Sequence, residues 1–313
     1  MSEQRTQKRW WRILKRMLIT LVILAVVLIY GVLPFWLSRL VTNASTRSVD
    51  RQLTTTPATY GAIFQDVEFT TTDGVKISGW LLPSRDKRAT IIYSHGLFRS
   101  RRELLERAVA LWKLGYGALL YDSRNHGDSG AARVSLGFHE RLDAQAAIRF
   151  LRAEQQSRDR LVLYGISMGA VTALLAAAET PPVDAVISDS AFLSFDDTLA
   201  HHIRVFLRLP TFPLAAEVRY LIESRADFDG KQVNALEAVR RIGERPILFI
   251  ASANDKRMPP RIAETLYQAS TSPQRDLLIV DGEGSEIHGH AYQANSTLYI
   301  EKVSAFLNAA LKQ

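Results

Sequence analysis

At 313 residues, with 47% hydrophobic side chains, the chain is long enough to bury a substantial core, and a globally disordered chain is excluded. It has no cysteine, which excludes disulfides and thiolate metal sites. Of its net charge of +7, residues 1–16 hold six basic side chains, Arg5, Lys8, Arg9, Arg12, Lys15 and Arg16, against Glu3; only +2 is left for the rest, which excludes a basic nucleic-acid-binding domain.

The basic flank, residues 1–16, leads into Met17 to Leu37, an uncharged and mostly aliphatic run of 21 residues. As a helix it reaches roughly 31 Å, which matches a hydrocarbon core of about 30 Å. Trp10 and Trp11 at one end, and Phe35 and Trp36 at the other, suit the headgroup layers. We take residues 17–38 as a single transmembrane helix, with the N-terminus cytoplasmic by the positive-inside bias and the remainder on the extracytoplasmic side. A cleaved signal peptide ending at Ala44 is the competing reading. Against it, the apolar run is longer than a signal peptide's and Arg39 intervenes before the small residues. Residues 39–60, polar and rich in Ser and Thr, read as a linker that lifts a globular unit off the bilayer.

From Gly61 onward, β-rich runs alternate with helical periodicity, the pattern of a mostly parallel sheet covered on both faces. Strands are expected at Val67 to Thr71 and Ile77 to Leu82, joined by an Asp73-Gly74 turn. Further strands are expected at Thr90 to Ser94, Ala118 to Tyr121, Leu161 to Tyr164, Ala185 to Ser188, Ile247 to Ala251 and Leu277 to Val280, which makes eight. Helices are expected at Arg101 to Leu114, Glu140 to Glu154, Met168 to Glu179, Arg261 to Ala269 and Thr297 to Leu311. The stretch from Asp189 to Pro246 is too long for a plain connection, so residues 191–232 read as a lid or insertion. Within it Leu199, Ile203, Phe206 and Leu207 share a helical face, beside Phe192, Phe195, Leu209 and Phe212.

Gly165-Ile166-Ser167-Met168-Gly169 joins a strand to an alanine-rich helix and reads as a nucleophile elbow. The reversal strains the serine backbone, and a Cβ two positions to either side would strike neighbouring backbone. A serine hydroxyl is a weak nucleophile at neutral pH and needs an imidazole oriented by a carboxylate. Asp255, just past a buried strand, is placed for the acid, with Asp189 in reserve. The base lies after the last strand, where His288 and His290 compete and His288 is preferred on loop position. His95 and His126 read as loop-ordering residues. The chain has no His-Glu-x-x-His pair and no Walker-type glycine loop, so neither a cofactor nor a metal is expected.

From about Val67 onward the chain resembles an α/β-hydrolase, close to the BEM46-like and serine-aminopeptidase-like hydrolases. The likeness rests on Asp73-Gly74 with Gly79-Trp80, His95-Gly96, the run from Asp122 to Ser129, the elbow, Asp189-Ser190, and Asp255 followed by Pro259. The resemblance implies an α/β-hydrolase fold over residues 61–313 and Ser167 as nucleophile, Asp255 as acid and His288 as base. It also implies an oxyanion hole formed by the main-chain N–H groups of Leu97 and Met168. Tyr292, four positions after His288, matches the aromatic residue common after the family's histidine. The chain departs from the pattern at Ala251-Ser252, where family members often carry His-Gly, and in a longer loop from Asp281 to Ile287. The expected activity is hydrolysis of a small-molecule ester or lipid-like substrate, of carboxylester or lysophospholipid type, by a membrane-anchored serine hydrolase. The alternatives are a peptidase or acyltransferase with the same triad, or a silent, membrane-tethered binding protein.

Overall fold

The computed structural model of the chain describes residues 2–86, 89–154, 159–179 and 183–312; Met1, at the head of the expected basic flank, lies outside them. It begins with a long apolar helix: α1 (Ser2–Val27), a π-helical stretch (Leu28–Val32) and α2 (Leu33–Thr42). A short helix α3 (Ser48–Arg51) and a 3-10 turn (Pro57–Tyr60) follow. The sheet is opened by β1 (Gln65–Thr70), β2 (Lys76–Leu82) and β3 (Ala89–Ser94). Then come α4 (Leu105–Lys113), β4 (Gly117–Tyr121), α5 (Glu140–Glu154), β5 (Arg160–Ile166), α6 (Met168–Glu179) and β6 (Ala185–Asp189). The insert carries α7 (Phe195–His202), a π-helical stretch (Ile203–Leu207) and α8 (Leu214–Ala226). The chain closes with α9 (Ala235–Ile242), β7 (Ile247–Ser252), α10 (Arg261–Ala269), β8 (Arg275–Val280), α11 (Ala291–Ala294) and α12 (Ser296–Ala310).

Eight strands form one sheet in the order β1-β2-β4-β3-β5-β6-β7-β8. β2 runs antiparallel to both β1 and β4, and the pairs from β4 onward are parallel. Parallel strands covered on both faces read as continuous apolar runs, and every residue of β3, β4, β6 and β7 is buried. Because side chains alternate along a strand, each strand feeds two cores. Ile92, Leu119, Leu163 and Phe249 pack with α5 and α6 on one face, while Ile91, Leu120, Tyr164 and Ile250 pack with α4 and α12 on the other.

The stretch 39–60, expected as a spacer, connects the apolar helix to β1 but does not hold the two apart. Tyr30, Leu33, Leu37 and Val41, at helical spacing, pack onto the core, and α8 lies along α2. At the end of α2 the Thr42 carbonyl accepts the Val134 N–H at 3.1 Å, and just past it the Ala44 carbonyl accepts the Asn125 amide at 2.8 Å. The Thr46 hydroxyl donates to the Arg99 carbonyl and accepts the Gly127 N–H, both at 2.7 Å. The physical reason for the difference is that the carbonyls and the Thr46 hydroxyl that would be solvated in a spacer find partners on the loops of the α/β unit instead.

Candidate active site

Four strand ends, of β3, β5, β7 and β8, and the start of α6 meet at Ser167. The turn between β5 and α6 holds Ser167 at φ 56°, a left-handed conformation uncommon for a residue with a side chain. A Cβ at Gly165 would fall on the Gly169 carbonyl, and one at Gly169 on the Ser94 carbonyl, so both flanking positions need glycine. The bend is pinned from below, where the Ser167 N–H donates to the Asp189 carbonyl at 2.9 Å.

His288, in the loop after β8, brings Nε2 to 2.7 Å from Ser167 Oγ, and its Nδ1 lies 2.6 Å from Asp255 Oδ2. Facing a carboxylate, Nδ1 carries the proton and leaves Nε2 free to accept the serine hydroxyl. Asp255 is buried at the end of β7, and its other oxygen accepts the N–H groups of Arg257 and Met258 at 2.8 and 3.0 Å. The long loop after β8 is tied to the Asp255 loop by Asn254, whose amide donates to Asp281 at 3.1 Å and to Ser285 at 2.8 Å.

The competing candidates sit elsewhere. His290 stands just before α11 and lines a separate polar cavity with Asp50 and Glu103; burial and the Arg107 charge lower its pKa. Asp189 lies beneath the elbow, where its carboxylate accepts the hydroxyls of Tyr299 at 2.7 Å and Ser190 at 2.8 Å. Burial raises the pKa of Asp189, against the pull of Arg107 and these hydrogen bonds.

Leu97 follows β3, and the residues on both sides of it are fixed. The Gly96 N–H donates to Glu103 at 2.7 Å, the Phe98 N–H to His126 Nε2 at 3.3 Å, and the Phe98 carbonyl accepts the Arg47 N–H at 3.0 Å. Met168 is the first residue of α6, so its N–H is one of the four with no carbonyl partner inside the helix. Among the described residues neither the Leu97 nor the Met168 N–H finds an acceptor, and both residues line the cavity that holds Ser167.

His95 and His126 order this loop. Nε2 of His95 accepts the Ser123 N–H at 2.9 Å, so its proton sits on Nδ1, facing the Gly96 carbonyl at 2.8 Å. Burial, helped by the neighbouring His126, pushes the His95 pKa down to about 3 and keeps the ring neutral. The run after β4 is a buried scaffold, with Asp122 accepting the N–H groups of Arg101 and Asp128, and Arg124 paired with Asp143 at 2.8 Å and Asp73 at 2.7 Å.

Two supporting residues escape a motif search. Arg107 on α4 is buried and donates to the Gly289 carbonyl, next to His288, at 2.7 Å. The signal is a cation on the apolar face of an amphipathic helix, between Leu105 and Ala108. Glu103, which holds the Gly96 N–H, has its pKa raised by burial from 4.5 to about 7.

Ser167 opens into an apolar cavity of about 280 Å³. Leu199, Ile203, Phe206 and Leu207 of the insert all line it, as does Phe192; Phe212 does not and is 81% exposed. His202 on the wall stays neutral, pushed down to about 4 by burial. Among the described residues no group of three or more His, Asp or Glu side chains is gathered as a bound metal would require.

The family described as "Serine aminopeptidase, S33" matches residues 85–224. An uncharacterized Bacillus subtilis protein, YqkD, is 32% identical over 237 residues, 75% of this chain and 76% of that one. The Aspergillus fumigatus polyketide transferase af380 is 34% identical over 142 residues, 42% of this chain and 47% of its own length. Among solved structures, the Pyrococcus furiosus esterase Pf2001 superposes with a TM-score of 0.68 at 27% identity, covering 83% of this chain and 97% of that one.

Proposed function

Because the chain belongs to the serine aminopeptidase-like family of α/β-hydrolases, we propose that it is a membrane-anchored serine hydrolase acting on carboxylester or lysophospholipid-like substrates. The reading is carried by one observation: the serine of a strained elbow, an imidazole and a buried carboxylate stand in hydrogen-bond series at the floor of an apolar cavity. The esterase likeness of Pf2001 supports the choice of an ester bond.

In this reading Ser167 Oγ attacks the ester carbonyl carbon while His288 Nε2 takes its proton, and Asp255 stabilises the imidazolium that forms. The carbonyl oxygen gains the negative charge and is held by the N–H groups of Leu97 and Met168, neither of which is spent on another acceptor among the described residues. Collapse breaks the bond to the leaving alcohol, which departs with the proton from His288. Water then enters, gives a proton to His288 and releases the acid from Ser167, which recovers its hydroxyl proton from His288. Residues 17–38 anchor the chain, with 1–16 in the cytoplasm and the hydrolase unit, residues 61–313, on the other side.

A second reading, transfer of the acyl group to an acceptor other than water, is favoured by the likeness to a polyketide transferase over part of the chain. Adding acceptor alcohols or amines during ester turnover distinguishes the two through the ratio of acylated acceptor to free acid.

The test of the hydrolase reading is covalent labelling of the purified full chain by a fluorophosphonate. Wild type is expected to label and to hydrolyse p-nitrophenyl esters, and Ser167→Ala to do neither, with turnover falling by about 10⁴-fold or more. Equal labelling of the two proteins would remove Ser167 from the reaction.

A further inference from the structure

The apolar helix does more than tether. Leu37, Leu40 and Val41 of α2 line the same cavity as Ser167, together with Ile203 and Phe206 of the insert. We propose that the substrate is a bilayer lipid ester whose acyl chain reaches Ser167 sideways from the adjacent leaflet, along a wall formed by the last turns of the membrane helix. The proposal rests on the serine-hydrolase reading and names the substrate class of that site.

Four observations converge on it. Leu37 belongs to the apolar run itself, so the cavity wall begins inside the segment that crosses the bilayer. α8 touches both the π-helical stretch from Leu28 and α2, so the insert lies beside the last ten residues of the run, Leu28 to Leu37. Ten helical residues span roughly 15 Å, about the depth of one leaflet's hydrocarbon.

The insert is also two-sided. At the cavity rim Phe206 and Leu40 are 55% and 41% exposed; Phe212, itself exposed, precedes α8 at the end away from Arg225, which donates to Thr42 at 3.2 Å, whereas Arg219 on α8 is paired with Asp196 and Glu223 at 2.7 and 2.8 Å. An uncovered aromatic edge beside an ion-paired flank is the division of surface that an interfacial segment needs.

Finally, cations collect where the phosphates of that leaflet would be. Arg39, just past the run, and Arg225, in the last turn of α8, both approach the Phe35 ring at 5.8 Å. Burial and the nearby charges of Arg133 and Arg39 lower the pKa of Arg225, and among the described residues none of the three pairs with a carboxylate. Guanidinium groups held together without a counter-charge suit lipid phosphate.

Because the chain has no cysteine, single cysteines can report depth. The full chain carrying Phe212→Cys, or Lys231→Cys beside Asp229 on the ion-paired flank, is spin-labelled in phosphatidylcholine and phosphatidylglycerol vesicles. Accessibility to oxygen and to a soluble nickel chelate is then compared. We expect the label at 212 to favour oxygen and the label at 231 to favour nickel. A nickel-accessible label at 212 would end the lateral route, whatever happens to turnover.

In parallel, Leu40→Trp and Val41→Trp are expected to lower the ratio of decanoyl to butyryl ester kcat/KM by about tenfold, as when two methylene groups lose an apolar wall. An unchanged ratio would remove α2 from the substrate path. Failure of wild type to label with fluorophosphonate would overturn the hydrolase reading instead and leave the depth measurement intact.

Discussion

His288 and His290 are separated by one residue and differ in everything they touch. The first is the link between Ser167 and Asp255, while the second faces the polar cavity behind the Gly96 loop. If this geometry governs the chemistry, His288→Ala lowers kcat by about 10⁴-fold or more and Asp255→Asn by about 10⁴-fold, measured on a soluble ester. His290→Ala leaves turnover near wild type, and the opposite pattern would move the base. Glu103 gives a pH prediction of defined sign. Its pKa is raised by burial from 4.5 to about 7, so between those values the folded chain binds more protons than the unfolded chain. Stability therefore falls as pH rises through that window, by on the order of 2 kcal/mol, and the loss is complete above it. Glu103→Gln keeps an acceptor for the Gly96 N–H and removes the charge, so its melting temperature is expected to change less between pH 4.5 and 7. Ser167 and Asp255 were legible because a strained bend and a strand end constrain nearby sequence. Choosing between two histidines in a long loop needs the tether from Asn254, a contact that spacing does not encode.

Among the elements, the buried parallel strands were the most legible, because apolar runs of four to six residues have few other places to go. The β5 strand runs on from the expected Leu161–Tyr164 to Ile166, since the strand continues into the elbow it feeds. The partner of α4 was not legible. Arg107 meets the Gly289 carbonyl across 182 residues of sequence, and local periodicity marks only that a cation stands on a buried face. It is a positioning residue for the loop of His288: its guanidinium also reaches Gln293 at 3.2 Å and lies over the rings of Tyr292 and Tyr299. Arg107→Met leaves the buried Gly289 carbonyl without its donor and removes a positive charge that acts on buried Asp189, and is expected to cost about 2 kcal/mol of stability. Below its melting temperature the variant is expected to lose kcat while KM holds, because the base loop rather than the acyl cavity is loosened. Equal melting curves for variant and wild type would show that the clamp carries no load.

Over the whole molecule the charge is divided by the apolar helix, with a net +5 packed into the first 16 residues and the α/β unit close to neutral. Positive charge within about 15–20 residues of a span is the part that sets its orientation. On the proposed anchoring, this division predicts an N-terminus retained in the cytoplasm and a hydrolase unit carried across. The same helix passes directly into the wall of the Ser167 cavity, so orientation decides which leaflet the site meets. In intact cells a membrane-impermeant maleimide is expected to modify Lys231→Cys and to spare Gln7→Cys; after lysis both are expected to react. Replacing Arg9, Arg12, Lys15 and Arg16 by Glu removes the bias and should reverse the labelling or prevent stable insertion. A Lys231→Cys chain protected until lysis would put the hydrolase unit in the cytoplasm. On the proposed lateral route, the exposed edge at Phe206 and Phe212 would then meet the inner leaflet, because α8 and the insert pack on α2 whichever way the helix runs.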